Sequence, residues 1–214
     1  MGCWPPCPNP RRETGTMITN WATRLRIRSL RPLVKASRRS SSRSLIERDI
    51  ERWVKVLPLD LRMETVDDAL CTYLTVYVEF RNVFYYRLEQ GGGFGSLIAK
   101  LARRIWSEVS TFKISCNEIG PGFVVRHGYS TVLTAERIGS NFFVHHEVTL
   151  GYDEGEVRRP PLIGDNVLVG VGAKVLGAIS VGNDARIGAN AVVLRDVPDG
   201  CTAVGVPARI IEGR

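Results

Sequence analysis

The chain has 214 residues, of which 44% are hydrophobic and 24% charged, as in a soluble protein with one ordinary domain or a modest domain and an appended segment. Its net charge of +7 comes from the start: residues 1–44 hold ten Lys or Arg against one acid, a net charge of +9, and the rest carries −2. The nearly neutral body argues against a nucleic-acid-binding protein, and no run of 18 apolar residues predicts a membrane-spanning helix.

Five cysteines are scattered along the chain without the spacing of a disulfide framework: Cys3, Cys7, Cys71, Cys116 and Cys201. Cys3 and Cys7 have no neighbouring His or Cys that would complete a zinc site. The pattern favours a reducing compartment, and we expect a cytoplasmic protein.

Residues 1–43 are rich in Arg and Ser and poor in acids, which predicts a basic disordered tail. The same composition leaves two alternatives open, namely weak contact with an anionic membrane surface and an organelle transit peptide. Met17 is an alternative start of the protein.

Residues 44–110 predict a small α-helical domain. Ser44 and Glu47 have the spacing of a capping box at the start of a first helix. A second helix is expected over about 66–88 and a third over about 96–109, because apolar residues recur there on one helical face.

A six-residue period dominates the chain from position 119 onward. Branched aliphatic residues recur without a slip at Ile163, Val169, Val175, Val181, Ile187 and Val193, and with the same spacing at 119–125 and at 138–144–150. Six is not a multiple of the 3.6-residue helical period, and a single strand would not persist across so many turns. Short strands and tight turns with one inward position per side instead predict a three-sided β-helix over residues 111–210, followed by a tail at 211–214.

One interruption of the period predicts an extruded loop. Leu150 and Ile163 are thirteen positions apart instead of six, so seven residues bulge out within 152–161. A solenoid has shallow walls, and we expect this loop to close a pocket on a neighbouring subunit.

Over residues 112–211 the chain resembles the serine acetyltransferases and their hexapeptide-repeat relatives. The resemblance rests on EIGPGFVVRHG (118–128), TAERIGSNFFVHHEVTLG (134–151), the repeats of 163–193 and VPDGCTAVGVPARII (197–211). It implies a mainly β fold, a left-handed parallel β-helix preceded by the small helical domain. It also implies a homotrimer, with a dimer of trimers as the larger alternative, and acetyl-CoA bound between neighbouring β-helices.

The catalytic histidine of that family falls on His127, which the resemblance implies is the general base. A hydroxyl is a poor nucleophile at neutral pH, so its attack on a thioester needs a base with a pKa near 7. His146 is the expected second active-site residue, and His145 is expected at a subunit contact. Family contacts to acetyl-CoA carry over to Gly151, Val171, Arg186, Ala189 and Arg209.

Three departures from the family pattern bear on the acceptor. Arg126 stands where an aspartate precedes the catalytic histidine, 112–114 has no acid where a partner aspartate is expected, and 158–160 replaces an Arg-His-Pro stretch. Because the lost groups help to bind or orient serine in the family, the acceptor is expected to be L-serine or a sugar hydroxyl of a surface polysaccharide.

The predicted function is therefore acetyl-CoA-dependent O-acetyl transfer to a small acceptor, without a metal. Two alternatives stay open. The missing aspartate also suits a non-catalytic β-helix scaffold, and one class of carbonic anhydrase carries three histidines on such a helix. The adjacent pair His145 and His146 disfavours this zinc hydratase, because neighbouring side chains of a strand point in opposite directions.

Overall fold

The computed structural model describes residues 21–61, 63–153 and 159–212, where helices precede a parallel β-helix. The start of the predicted tail and the middle of the predicted loop lie outside these ranges. The helices are α1 (Trp21–Ser37), α2 (Arg43–Val56), α3 (Val66–Val76), α4 (Val78–Gln90) and α5 (Gly93–Ile105). Within the ranges given, no helix has the length and apolarity needed to cross a bilayer.

Helix α1 occupies part of the segment predicted to be a disordered tail, so that prediction is wrong for this helix and the turn after it. Its Leu30, Leu33 and Val34 are spaced for one helical face, and they are buried where α1 packs against α3. The ion pair of Arg43 with Asp67 of α3, 2.7 Å long, fixes the end of this segment. The apolar face is hard to recognise in the sequence because the helix also contains five Lys or Arg residues and a proline.

Helix α2 begins at Arg43 and not with a capping box at Ser44. Ser42, the residue before the helix, makes no side-chain capping hydrogen bond. The Glu47 carboxylate accepts a hydrogen bond of 2.7 Å from Nε of Arg43, whose Nη2 donates to Asp67 and whose Nη1 donates to Ser37 Oγ. An ion-pair network therefore uses the glutamate that a capping box would require.

The helix predicted over 66–88 is interrupted at Tyr77, whose extended backbone (φ −106°, ψ 103°) separates α3 from α4. The Tyr77 ring packs against Trp53 of α2, with ring centroids 5.6 Å apart. Nε of Arg81 donates a 2.6 Å hydrogen bond to the carbonyl oxygen of Leu74, which satisfies a group near the break. Tertiary contacts therefore set this boundary.

The third predicted helix, over 96–109, is observed as α5 with earlier bounds at both ends. Gly92 precedes it with φ 64°, a left-handed conformation that glycine adopts without strain. Trp106 is extended (φ −120°, ψ 92°) and ends the helix after Ile105.

Short strands in three sheets form the sides of the β-helix. One sheet holds β1, β3, β6, β9 and β12, the second β4, β7 and β10, and the third β2, β5, β8, β11, β13 and β14, where β14 alone among the described strands pairs antiparallel. The strands are β1 (Phe112–Ile114), β2 (Val124–Val125), β3 (Thr131–Leu133), β4 (Arg137–Ile138), β5 (Phe143–Val144), β6 (Thr149–Gly151), β7 (Leu162–Ile163), β8 (Leu168–Val169), β9 (Lys174–Leu176), β10 (Ser180–Val181), β11 (Arg186–Ile187), β12 (Val192–Val193), β13 (Thr202–Val204) and β14 (Arg209–Ile211).

The residues of the six-residue period fill the interior of the β-helix, as the sequence predicts. Each is at most 3% exposed, from Ile119 through Ile163 to Val193.

The glycine that follows an inward residue is required by the stacking of the coils. A Cβ on Gly139 would lie 2.6 Å from the carbonyl oxygen of Gly164 in the next coil. Backbone spacing between coils therefore explains the recurring Ile-Gly and Val-Gly pairs.

A buried ion pair joins the helices to the first coil. Asp49 of α2 and Arg87 of α4, each side chain 1% exposed, contact one another through two hydrogen bonds of 2.7 and 3.2 Å. Oδ1 of Asp49 also accepts from the backbone N–H groups of Gly122 and Phe123, at 2.8 and 2.9 Å. Arg87 donates to the carbonyl oxygen of Ile119 at 2.5 Å. The charges are thus paired and hydrogen-bonded, as burial requires.

Candidate active site

Strand register brings four of the predicted site residues to one corner of the β-helix. The inward residues of β2, β5, β8 and β11 are paired in register across four successive coils. The position two residues past each inward residue is therefore the same corner in every coil. These positions are occupied by His127, His146, Val171 and Ala189.

We call these four positions the corner column. Backbone hydrogen bonds connect the corner column from coil to coil. The carbonyl oxygen of His146 accepts from the N–H of Gly172, at 3.1 Å. The carbonyl oxygen of Val171 accepts from the N–H of Asn190, at 2.7 Å. The predicted catalytic histidines and the predicted backbone contacts of acetyl-CoA thus form one continuous strip.

Three rings cluster at the start of the corner column. The ring centroids of His127 and His146 are 5.6 Å apart, and Tyr129 lies 4.7 Å from His146 and 6.0 Å from His127. Nδ1 of His146 is buried and has no hydrogen-bond partner within the described part of the chain. A buried polar atom without a partner costs free energy, so this nitrogen is suited to a hydrogen bond with a bound ligand.

The backbone of His127 is held by an acid that the sequence does not reveal. His127 has φ 70°, a left-handed conformation that is uncommon outside glycine, and Gly128 follows with φ 65°. Oε1 of Glu79, in the first turn of α4, accepts a hydrogen bond of 3.0 Å from the N–H of His127. The Glu79 side chain is buried against the β-helix. The helical domain therefore supplies a carboxylate beside the histidine, where the first coil has none.

The surroundings of His127 keep its imidazole neutral. Burial lowers the pKa of His127, and the positive charge of Arg126 and the proximity of His146 lower it further. The Glu79 carboxylate acts in the opposite direction and raises this pKa. Because burial is the largest of these effects, the imidazole is free to accept a proton at neutral pH.

His145 has a different environment from its neighbour. Its ring packs edge-on against Phe143, with centroids 5.1 Å apart. Burial lowers the pKa of His145 to about 4, and the charge of Arg126 adds to this effect. His145 therefore stays uncharged at neutral pH, and its expected role in a subunit contact stays a prediction.

Among the described residues, no group of three or more His, Cys, Asp and Glu side chains is placed to hold a metal ion.

The other three predicted acetyl-CoA contacts lie away from the corner column. Gly151 ends β6, the central strand of a neighbouring sheet. Arg186 is exposed on β11 and faces a cleft of about 410 Å³ that Arg52 of α2 also lines. Arg209 is exposed on β14 and lines a separate cleft of about 380 Å³ with Arg195. Among the described residues, Arg186 and Arg209 thus line two separate clefts of one chain.

Comparison with known proteins places this geometry in a family. Residues 160–195 match the family described as bacterial transferase hexapeptide (six repeats). A serine acetyltransferase of Helicobacter pylori is 50% identical over 96 residues, which are 44% of this chain and 56% of that protein. One from Bacillus pumilus is 46% identical over 116 residues, or 50% of this chain and 53% of that protein. The chain spans about half the length of these curated relatives.

A solved structure decides the assignment. Soybean serine acetyltransferase, without ligands, superposes with a TM-score of 0.61 at 30% identity, over 80% of this chain and 69% of the soybean chain. The chain belongs to the serine acetyltransferase family. A further serine acetyltransferase, solved in complex with CoA, matches with a TM-score of 0.59 at 28% identity, over 83% of this chain and 73% of the other.

Membership of the serine acetyltransferase family confirms two predictions. The resemblance drawn from the repeat motifs is correct, and so is the predicted fold class, a left-handed parallel β-helix after a small α-helical domain. In this member of the family, helix α1 adds to the helical part, and Glu79 stands beside His127.

Proposed function

We propose that this protein is an acetyl-CoA-dependent O-acetyltransferase in which His127 acts as the general base. The proposal rests on the position of the His127 ring, which lies at the head of the corner column, 5.6 Å from the His146 ring and beside the Glu79 carboxylate. A base for this reaction must be unprotonated at neutral pH and must stand beside the bound thioester. The family relatives support the donor, since one of them is solved in complex with CoA.

The proposed reaction needs one proton to move twice. The imidazole of His127 takes the proton of the acceptor hydroxyl as the hydroxyl oxygen attacks the carbonyl carbon of the acetyl thioester. The carbon–sulfur bond then breaks, the imidazolium returns the proton to the departing sulfur, and the products are an O-acetyl ester and CoA. Such a base contributes about 10²–10⁴-fold to the rate.

The backbone of the corner column provides the surroundings for the donor. Val171 and Ala189 follow His127 and His146 at the same corner in the next two coils. We assign these two backbones to acetyl-CoA, with the unpartnered Nδ1 of His146 facing the reacting groups. Gly151, Arg186 and Arg209 join the site when a neighbouring chain of the proposed homotrimer, or of a dimer of trimers, brings them to the groove.

Glu79 replaces the partner aspartate that the family resemblance places at 112–114 and that this chain lacks. Its hydrogen bond to the N–H of His127 holds the left-handed backbone that aims the imidazole. Its negative charge also stabilises the imidazolium that forms when the hydroxyl is deprotonated. We therefore assign Glu79 as a positioning residue that acts through His127.

The variant Glu79→Gln is expected to lower kcat roughly tenfold, which corresponds to about 1.4 kcal/mol, because it removes the charge that stabilises the imidazolium. Glutamine keeps an oxygen that accepts the backbone hydrogen bond, so the fold is preserved. Without the carboxylate the pKa of His127 falls further, and the acid limb of the kcat/KM profile moves to lower pH. Glu136→Gln makes the same change at an exposed side chain and should move neither quantity.

The acceptor is either L-serine or a sugar hydroxyl. Family membership and a soybean serine acetyltransferase solved with serine support the amino acid, and the loss of serine-orienting residues supports the sugar. Arg126 gives the site a positive charge, which suits either an amino acid carboxylate or a nucleotide sugar.

Release of the CoA thiol from acetyl-CoA is the test of this function. The full-length protein is incubated with L-serine, nucleotide sugars or oligosaccharides, and L-alanine serves as the matched control without a hydroxyl. We expect acceptor-dependent thiol release with one of the hydroxyl compounds and none with L-alanine. An absence of acceptor-dependent release across the whole panel would favour the non-catalytic scaffold.

A cytoplasmic setting is part of the proposal, because the described cysteines Cys71, Cys116 and Cys201 are free thiols.

A further inference from the structure

Helices α1 and α5 present large apolar side chains to solvent. On α5 they are Phe94, Leu97, Leu101 and Ile105, which recur at spacings of three and four and therefore form one stripe. On α1 they are Trp21 and Leu25, one helical turn apart, and Trp21 is 76% exposed. These side chains do not serve the core, since the buried residues of both helices lie on other faces.

The two helices are antiparallel neighbours, so their exposed residues share one region of the molecule. Ser40, just after α1, lies beside Gly95 at the start of α5. At the other end, Arg26 of α1 acts electrostatically on Arg81, which donates to the carbonyl oxygen of Ser107 just past α5. The helices also contact one another between these ends. We call their solvent-exposed surface the α1–α5 face.

The α1–α5 face is strongly basic. The two helices contain eight Lys or Arg residues and no Asp or Glu. Arg31 and Arg103 pair with acids of other helices. The other six are exposed and form no ion pair with any described residue: Arg24, Arg26, Arg28, Lys35, Lys100 and Arg104. On α5, Lys100 and Arg104 are one turn apart and lie beside the apolar stripe.

An apolar stripe flanked by basic side chains is typical of a helix that lies in the interface of a lipid bilayer. Its apolar side chains enter the boundary between headgroups and acyl chains, and its cations meet anionic headgroups. We propose that the α1–α5 face binds the surface of an anionic bilayer. The inference is independent of the proposed acetyl transfer, and it places membrane contact on helices α1 and α5.

Charge decides between a membrane and a second copy of this chain. In a two-fold contact, such as one that pairs two trimers, the α1–α5 face would oppose itself and bring unpaired arginines and lysines of both chains together. Like charges at such a contact are destabilising. An anionic bilayer instead offers both an apolar layer and the opposite charge.

Vesicle sedimentation tests this inference. The full-length protein is mixed with vesicles of phosphatidylcholine, or of phosphatidylcholine with phosphatidylglycerol, at low and high salt. We expect binding to the anionic vesicles at low salt, loss of binding at high salt, and little binding to phosphatidylcholine alone. Failure of the unmodified protein to bind anionic vesicles at low salt would overturn the proposal.

Two double variants assign the binding to this face. Lys100→Glu with Arg104→Glu should weaken binding about 25-fold or more, since each basic residue near an anionic surface contributes roughly fivefold. Leu97→Gln with Leu101→Gln should also weaken binding, whereas Leu194→Gln, at an equally exposed leucine, should not.

Two results would contradict the assignment to the α1–α5 face. Binding of either double variant as tight as that of the unmodified protein would place the membrane contact elsewhere in the chain. A lower mass of the Leu97→Gln, Leu101→Gln protein in light scattering would show that the face is a contact between copies. Since all four substituted side chains are exposed, the variants are expected to fold.

Discussion

Replacing His127 by asparagine is expected to lower the rate of acetyl transfer by about 10²–10⁴-fold, the usual contribution of a general base. Asparagine is the informative choice because His127 has φ 70°, and asparagine adopts this left-handed conformation more readily than alanine. The substitution therefore removes the base with little disturbance of the corner. The measurement is kcat for acceptor-dependent thiol release, with binding of acetyl-CoA followed by calorimetry.

The matched control for this variant is His145→Asn. His145 packs against Phe143, and its low pKa of about 4 leaves it uncharged in the folded protein. Its replacement should leave kcat within a few-fold of the unmodified value, while acetyl-CoA binding is retained in both variants. Turnover of the His127→Asn protein at the unmodified rate would remove His127 from the mechanism.

Replacing Asp49 by alanine is expected to reduce the free energy of unfolding by about 3–5 kcal/mol. The substitution leaves the buried guanidinium of Arg87 without its partner, and it leaves the N–H groups of Gly122 and Phe123 without an acceptor. An unpaired buried charge costs more than the loss of the contact alone. Chemical denaturation of the purified variant measures this change directly.

Two control variants show whether the loss of stability in Asp49→Ala comes from the buried ion pair. Asp60→Ala, at an exposed carboxylate, should change the free energy of unfolding by less than about 0.5 kcal/mol. The double variant Asp49→Leu, Arg87→Met replaces both charges by apolar groups and should be less destabilised than Asp49→Ala. A loss below about 1 kcal/mol in Asp49→Ala would mean that the pair does not hold the helices to the first coil.

The six-residue period made most of the β-helix predictable. Each coil repeats the same local geometry, so an inward Ile163 or Val169 is recognised by spacing alone. The corner column follows from the same arithmetic, since His127, His146, Val171 and Ala189 stand two positions past an inward residue. The left-handed sense of the β-helix was predicted from the resemblance to the family, because a six-residue period is compatible with either sense.

What the sequence did not reveal depends on contacts between distant parts of the chain. Glu79 reaches His127 across 48 positions, and no local pattern links a glutamate on a helix to a turn of a later coil. Helix α1 was not recognised because it contains five Lys or Arg residues and a proline, and its stability comes from packing against α3. The break at Tyr77 likewise follows from the ring contact with Trp53.

A crystal structure of the protein with CoA would show directly where the acetyl donor binds. We expect CoA to lie along the corner column, with hydrogen bonds to the backbone of Val171 or Ala189. Its sulfur should then lie beside the imidazole of His127, within about 4 Å, the distance of ordinary contact. A CoA molecule whose sulfur lies far from His127, or one bound in a cleft away from this corner, would rule out His127 as the base for acetyl transfer.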